Sequence, residues 1–172
     1  MKLGLTPKRR LATLMFPRYS PFLDKLNWNA RWMAAIESAS SVPIFPHKRE
    51  LHSFISETYV GDRPVDYLEF GVYRGNTIRY WSEMNKNPES RFVGFDSFEG
   101  LPENWLPDYP KGAFDVGGQL PDIKDDRVRF EVGWFQNTLP GFLATYEPRL
   151  DRPLIVHNDS DLYSSTDRKS VV

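Results

Sequence analysis

The feature that most constrains this chain is an alternation of short strand-like runs with helix-spaced segments. It begins at Val65-Asp66-Tyr67-Leu68-Glu69-Phe70, which follows the breaker Gly61-Asp62-Arg63-Pro64 and ends on Gly71. Residues 76–85 then set Ile78, Trp81 and Met84 on one side of a helix, and Asn87-Pro88 stops it. A second strand, Arg91-Phe92-Val93-Gly94-Phe95, carries Asp96 at its carboxyl end. A loop rich in Pro, Gly and Asp runs from Glu99 to about Asp126, a length that suggests a binding or covering role. Residues 127–132 form a third strand, residues 139–146 a short helix around Pro140, and residues 153–157 a fourth strand. Upstream, Leu51, Phe54, Ile55 and Tyr59 recur at helical spacing and predict a helix over 48–59 with those four turned inward. Strand–helix–strand alternation requires crossovers between parallel strands. The expected fold is therefore α/β with a parallel sheet, and its ligands belong beyond the carboxyl ends of the strands.

A length of 172 residues, 40% hydrophobic and 15% aromatic, supports one core. Residues 1–47 carry Pro7, Pro17, Pro21, Pro43 and Pro46 around one helix-like stretch at 29–38, and read as an N-terminal extension. Its aromatics Phe16, Tyr19, Phe22, Trp28 and Trp32 suit packing on the main domain, closure over a ligand or contact with a second subunit, which leaves room for a homo-oligomer. The main domain is residues 48–172. With 22 basic and 23 acidic side chains the net charge is -1, so no field favours nucleic acid or an anionic membrane, and a small-molecule partner is expected. The absence of cysteine removes disulfides, thiolate metal sites and cysteine nucleophiles, and is compatible with a cytoplasmic setting. The basic run Pro7-Lys8-Arg9-Arg10 precedes an apolar run, Leu11 to Phe16, that is too short for a signal core, and no run approaches the ~20 apolar residues of a membrane span.

Three clusters carry chemistry. Glu69-Phe70-Gly71-Val72-Tyr73-Arg74-Gly75 joins a strand end to a helix start through two glycines. Such a turn lets a ligand approach the backbone and offers it free N–H groups. Asp96, at the end of the next strand, is placed to accept both ribose hydroxyls of a nucleoside. The pattern Glu-x-Gly-x-x-x-Gly departs from the Gly-x-Gly-x-x-Gly of nicotinamide enzymes and suits S-adenosylmethionine, whose amino-acid end carries an amine and a carboxylate. The third cluster runs from His157 to Thr166. If the strand continues through it, His157, Asp159 and Asp161 share one side, with the two aspartates about 7 Å apart along the strand. Hard oxygen ligands there suit Mg²⁺, and a second carboxylate suits a general base; a polar turn capping a helix through Ser164, Ser165 or Thr166 is the competing reading.

Four blocks in order resemble the macrocin O-methyltransferase family, class I S-adenosylmethionine-dependent enzymes that methylate sugar hydroxyls on antibiotics. They are the Tyr67–Gly75 segment, Gly94-Phe95-Asp96-Ser97-Phe98-Glu99-Gly100-Leu101-Pro102, Gly133-Trp134-Phe135-Gln136-Asn137-Thr138-Leu139-Pro140, and the His157–Thr166 segment. The resemblance implies a Rossmann-like methyltransferase fold. It implies that Glu69, Gly71 and Gly75 hold the methionine end of S-adenosylmethionine, that Asp96 holds the ribose, and that Ser97 with Gly133, Trp134 and Phe135 lie near the adenine. It also implies Asp159 as a Mg²⁺ ligand and Asp161 as the general base toward a sugar hydroxyl of a natural product.

Members of that family continue for three more strands, and an Asp-Asp pair after the fifth completes the metal site, whereas this chain ends at Val172. The expectation is a truncated enzyme showing the first four strands, with an incomplete Mg²⁺ site, an open edge near Leu154, Ile155 and Val156, and a tendency to self-associate without turnover. The alternatives are a nicotinamide-dependent oxidoreductase and a non-catalytic remnant that serves as a binding or dimerisation module.

Overall fold

The computed structural model describes residues 43–162, 164 and 165. The chain divides into two compact units, Met1–Phe45 and Pro46–Val172. The helix-like stretch and the aromatics expected before residue 43 lie outside the described residues.

The second unit begins with helix α1 (Lys48–Ile55), which widens into a π-helical turn over Ser56–Val60. Strand β1 (Asp66–Phe70), helix α2 (Asn76–Met84) and strand β2 (Arg91–Asp96) follow, then the long loop. Strand β3 (Val128–Val132), helix α3 (Phe135–Thr145) and strand β4 (Leu154–Asn158) complete the order. All pairings are parallel and the strands lie in the order β3-β2-β1-β4. The fold is α/β, as the alternation requires.

Period-two alternation assigns each strand residue to a face. Tyr67 and Phe92 turn to the face that packs Val65, Ile78 and Trp81, with Phe130 and Ile155 beside them. Leu68, Phe70, Val93 and Phe95 turn to the other, under Leu139 and Phe142 of α3. Both faces of β1 are therefore covered, which is why every residue of that strand is buried, Asp66 and Glu69 included. Asp66 tolerates burial at the amino end of β1 because Arg91 pairs with it in a fork and the Tyr146 hydroxyl donates to it at 3.2 Å. Among the described residues β4 is an edge strand, with Leu154 and Val156 exposed and Ile155 partly buried.

Two elements depart from the sequence reading. The inward side of α1 only partly follows Leu51, Phe54, Ile55 and Tyr59: Ile55 packs against the core and Phe54 is half-buried, but Leu51 and Tyr59 are exposed, and the buried positions are His52, Ser56 and Val60. A polar residue is accepted inward because His52 has partners there. Trp81 Nε1 donates to its Nδ1 at 2.6 Å, and its ring stands edge-on to that of His157 at 5.1 Å. Helix α3 starts at Phe135 rather than near Leu139, and contains Pro140. Proline forfeits one N–H bond in the helix, but Phe135 packs edge-on against Phe70 at 5.6 Å and Phe142 against Phe95 at 4.9 Å, and that packing outweighs the loss.

Candidate active site

The chain runs outward from β1 to β2 and β3, then returns to place β4 on the other side of β1. Strand order reverses between β1 and β4, and a crevice opens there at the carboxyl ends. A cavity of about 340 Å³ occupies it, lined by residues of all four strand ends, among them Glu69, Gly71, Asp96, Ser97, Gly133, Trp134, Phe135, Asp159 and Asp161.

The turn after β1 forms the floor. Gly71 has φ 90°, and a side chain there would be driven into the Asp159 backbone, which is held close because Asp159 N–H donates to Phe70 O at 2.9 Å. Gly75, at φ 73°, is the N-cap of α2 and supplies no side-chain cap. The N–H groups of the first turn are left for a ligand, and Asn76 and Thr77 of that turn line the cavity.

Asp96 already has structural work in this turn. Its Oδ2 accepts Val72 N–H at 2.7 Å and Tyr73 N–H at 2.8 Å, and its Oδ1 accepts Phe98 N–H at 2.8 Å. Tyr73 and Phe98 both have positive φ, 53° and 58°, which side-chain-bearing residues adopt at a cost, and the carboxylate holds both in place. A carboxylate offers about four acceptor positions, so roughly one remains for a ligand donor. Ser97 is buried beside it and its Oγ accepts Glu99 N–H at 3.2 Å. Across the crevice Gly133, at φ 137°, lets β3 turn into α3, with Trp134 as N-cap and Phe135 as first helical residue. The rings of Tyr73 and Phe114 meet edge-on at 5.6 Å and both reach the cavity.

Glu69 is 1% exposed yet lines the cavity. Its Oε2 accepts the Tyr67 hydroxyl at 2.6 Å, and His157 Nδ1, opposite it in the β1–β4 register, lies 3.5 Å away. Burial, and then the Glu69 charge, push the Tyr67 hydroxyl far above the usual tyrosine range.

The last cluster does not stay on one side of a strand, because β4 ends at Asn158 and Asp161 turns to φ 54°. Lys48 Nζ meets Asp159 Oδ2 at 2.5 Å. Burial raises the Asp159 carboxyl, but the hydrogen bond and charge of Lys48 outweigh it and hold the group below its ordinary value. Burial, and then the charge of Asp159, push the Asp161 carboxyl up. Among the described residues no group of three or more His, Cys, Asp or Glu side chains is disposed to hold a metal ion. With Asp159 committed to the Lys48 ammonium, and Asp161 beside it as the other carboxylate of this segment, the donor set among the described residues does not suit Mg²⁺. Sequence reasoning missed Lys48, His52 and Tyr67. Tyr67 had a signal, since it stands two residues before Glu69 on the same strand and so on the same face.

Two curated relatives align with the chain. The 8-demethyl-8-(2,3-dimethoxy-alpha-L-rhamnosyl)-tetracenomycin-C 4'-O-methyltransferase of Streptomyces olivaceus is 30% identical over 131 residues, covering 64% of this chain and 48% of that protein. The mycinamicin III 3''-O-methyltransferase of Micromonospora griseorubida is 30% identical over 126 residues, covering 60% of this chain and 47% of that protein. The chain thus spans about half the length of the curated relatives it matches. The solved structure of the O-methyltransferase NovP superposes with a TM-score of 0.45 at 23% identity, over 69% of this chain and 53% of that one. The two curated relatives are methyltransferases, so the oxidoreductase alternative is not favoured. The family model for macrocin-O-methyltransferase (TylF) matches residues 47–170, the stretch that supplies every wall of the cavity, and the chain belongs to that family.

Proposed function

We propose that this chain binds S-adenosylmethionine in the strand-end cavity and serves methyl transfer to a hydroxyl of a small molecule, a sugar of a natural product. One observation carries the reading: four blocks far apart in sequence, at Glu69–Gly75, Asp96–Ser97, Gly133–Phe135 and Asp159–Asp161, line one cavity at the point where strand order reverses. Its chemistry suits the cofactor. Glu69 with one oxygen committed to Tyr67, near an uncapped helix start, matches a ligand end that bears both an ammonium and a carboxylate. In this reading Glu69, Gly71 and Gly75 take that end, Asp96 takes a ribose hydroxyl, and Ser97, Gly133, Trp134 and Phe135 surround the adenine.

The cofactor supplies an electrophilic sulfonium methyl, and the rest of the work falls to positioning and proton removal. Asp161 is the base, because burial and the neighbouring Asp159 make its carboxylate more basic than an exposed one. No step is assigned to Mg²⁺, since Asp159 is held by Lys48. The Streptomyces olivaceus relative is named for methylation of a rhamnosyl-bearing tetracenomycin, which supports an acceptor of that class.

Calorimetry with S-adenosylhomocysteine tests the reading. Asp96→Ala removes a ribose acceptor and the pin of the turn, and should weaken binding by about tenfold or more. Equal affinity in the variant, or tight binding of NADH with none of S-adenosylhomocysteine, overturns it.

A further inference from the structure

We infer that Tyr67 and His157 are positioning residues that aim the Glu69 carboxylate at the ammonium of the cofactor's amino-acid end; the inference rests on the methyl-donor reading above. The sheet itself assembles the group. Tyr67 and Glu69 are two apart on β1 and share a face, and the parallel register sets His157 of β4 directly beside Glu69. The Tyr67 hydroxyl lies 2.6 Å from Glu69 Oε2 and 3.1 Å from His157 Nδ1.

The direction of the chain follows from counting protons. A phenol has one, and beside a buried carboxylate it is donated there, since a carboxylate only accepts. The Tyr67 oxygen is then left as an acceptor, so His157 Nδ1 must carry the hydrogen between them, which fixes its tautomer. The order is His157 N–H to Tyr67 O–H to Glu69 Oε2, each bond polarising the next. His52 stands edge-on to His157, and Trp81 holds His52 by an indole N–H, so the His157 imidazole meets a fixed ring as well as Tyr67.

The consequence lies at Glu69. A side chain 2% exposed, with Oε2 fixed from behind by Tyr67, has Oε1 to present to the cavity that it lines. That is one preset acceptor for one cationic donor, and the ligand need not order a mobile carboxylate. Tyr67 makes no part of the cavity wall, so its effect on a ligand must pass through Glu69.

The test compares two ligands on the purified chain: S-adenosylhomocysteine, which has the ammonium, and 5′-methylthioadenosine, which lacks the whole amino-acid end. Tyr67→Phe preserves the ring and removes the hydroxyl. It should weaken S-adenosylhomocysteine about tenfold and leave 5′-methylthioadenosine unchanged. Glu69→Gln should weaken the first ligand at least as much, and Tyr67→Phe added to it should cost nothing further, as expected if one residue acts through the other. Equal loss for both ligands in Tyr67→Phe, no loss for either, or a full additional loss in the double variant overturns the inference. If the wild type takes neither ligand, the methyl-donor reading fails and takes the inference with it.

Discussion

Acid should weaken this fold through one buried imidazole. His52 is 7% exposed, and its Nδ1 accepts the indole N–H of Trp81 at 2.6 Å, so the ring is neutral with its hydrogen on Nε2. Burial first, then the neighbouring charges of His157 and Lys48, lower its pKa from 6.5 to about 4, with Asp159 opposing them. Between those values the unfolded chain binds a proton on this side chain and the folded chain does not. Stability therefore rises with pH across the window: the contribution is fully present above 6.5 and is lost as pH falls through about 4. At ~1.4 kcal/mol per pH unit the contribution is about 3 kcal/mol. The hydrogen bond gives a similar figure by another route, because protonating Nδ1 would orphan a buried indole donor at a cost of about 1–3 kcal/mol. Charged neighbours hold the Asp125 and Asp159 carboxyls below their ordinary values, whereas the Asp161 carboxyl is pushed up and opposes the His52 slope; all three are common to the wild type and the variant, so the difference between the two proteins reads His52. Urea unfolding followed by circular dichroism from pH 4 to 7.5 reads the slope. In His52→Asn, whose side-chain oxygen can still accept from Trp81, the slope in that window should largely vanish. Parallel pH dependences for the variant and the wild type would refute the reasoning.

Gly71→Ala should destabilise the chain by about 2–4 kcal/mol in thermal denaturation, since it combines a positive φ with a methyl forced into the Asp159 backbone; a loss under about 0.5 kcal/mol would mean that β1 and β4 part easily at their ends. In a version extended to full family length, Asp161→Asn should lower the proposed methyl transfer to a glycosidic hydroxyl by about a hundredfold and leave S-adenosylhomocysteine affinity unchanged, because proton removal belongs to the chemical step alone; an undiminished rate would remove Asp161 from the mechanism.

Strand positions were legible in the sequence because short apolar runs bounded by Gly, Pro and Asn leave little choice of register, and the four observed strands fall within a residue of those read. The inward side of α1 was not. Hydropathy assigns Leu51 to a core and His52 to solvent, and only the tertiary partners Trp81 and His157 reverse the order. The start of α3 was misread for a related reason: Pro140 suggests a first turn, but Phe135 finds a ring on β1 that no local rule foresees. In the site, residues at strand ends were visible because the topology of an alternating chain sends ligands there. Lys48 was invisible because its partner, Asp159, comes from the opposite end of the described chain.

Asp96 shows why a motif can name a residue and still misstate its load. A residue at a strand end faces backbone N–H groups before it faces any ligand, and an unpaired N–H in a partly buried turn costs about as much as a lost hydrogen bond. Here three such donors converge on one carboxylate, two from the turn after β1 and one from the start of the long loop. The carboxylate thereby sets the shape of the turn that carries Gly75 to the start of α2, and hence the place where a ligand's amino-acid end would meet free N–H groups. With about one acceptor position left, it has room for one further donor from a ligand in the cavity. Under the proposed placement of the cofactor, loss of Asp96 would therefore act on both of its ends at once, on the ribose by removing a contact and on the amino-acid end by releasing the turn.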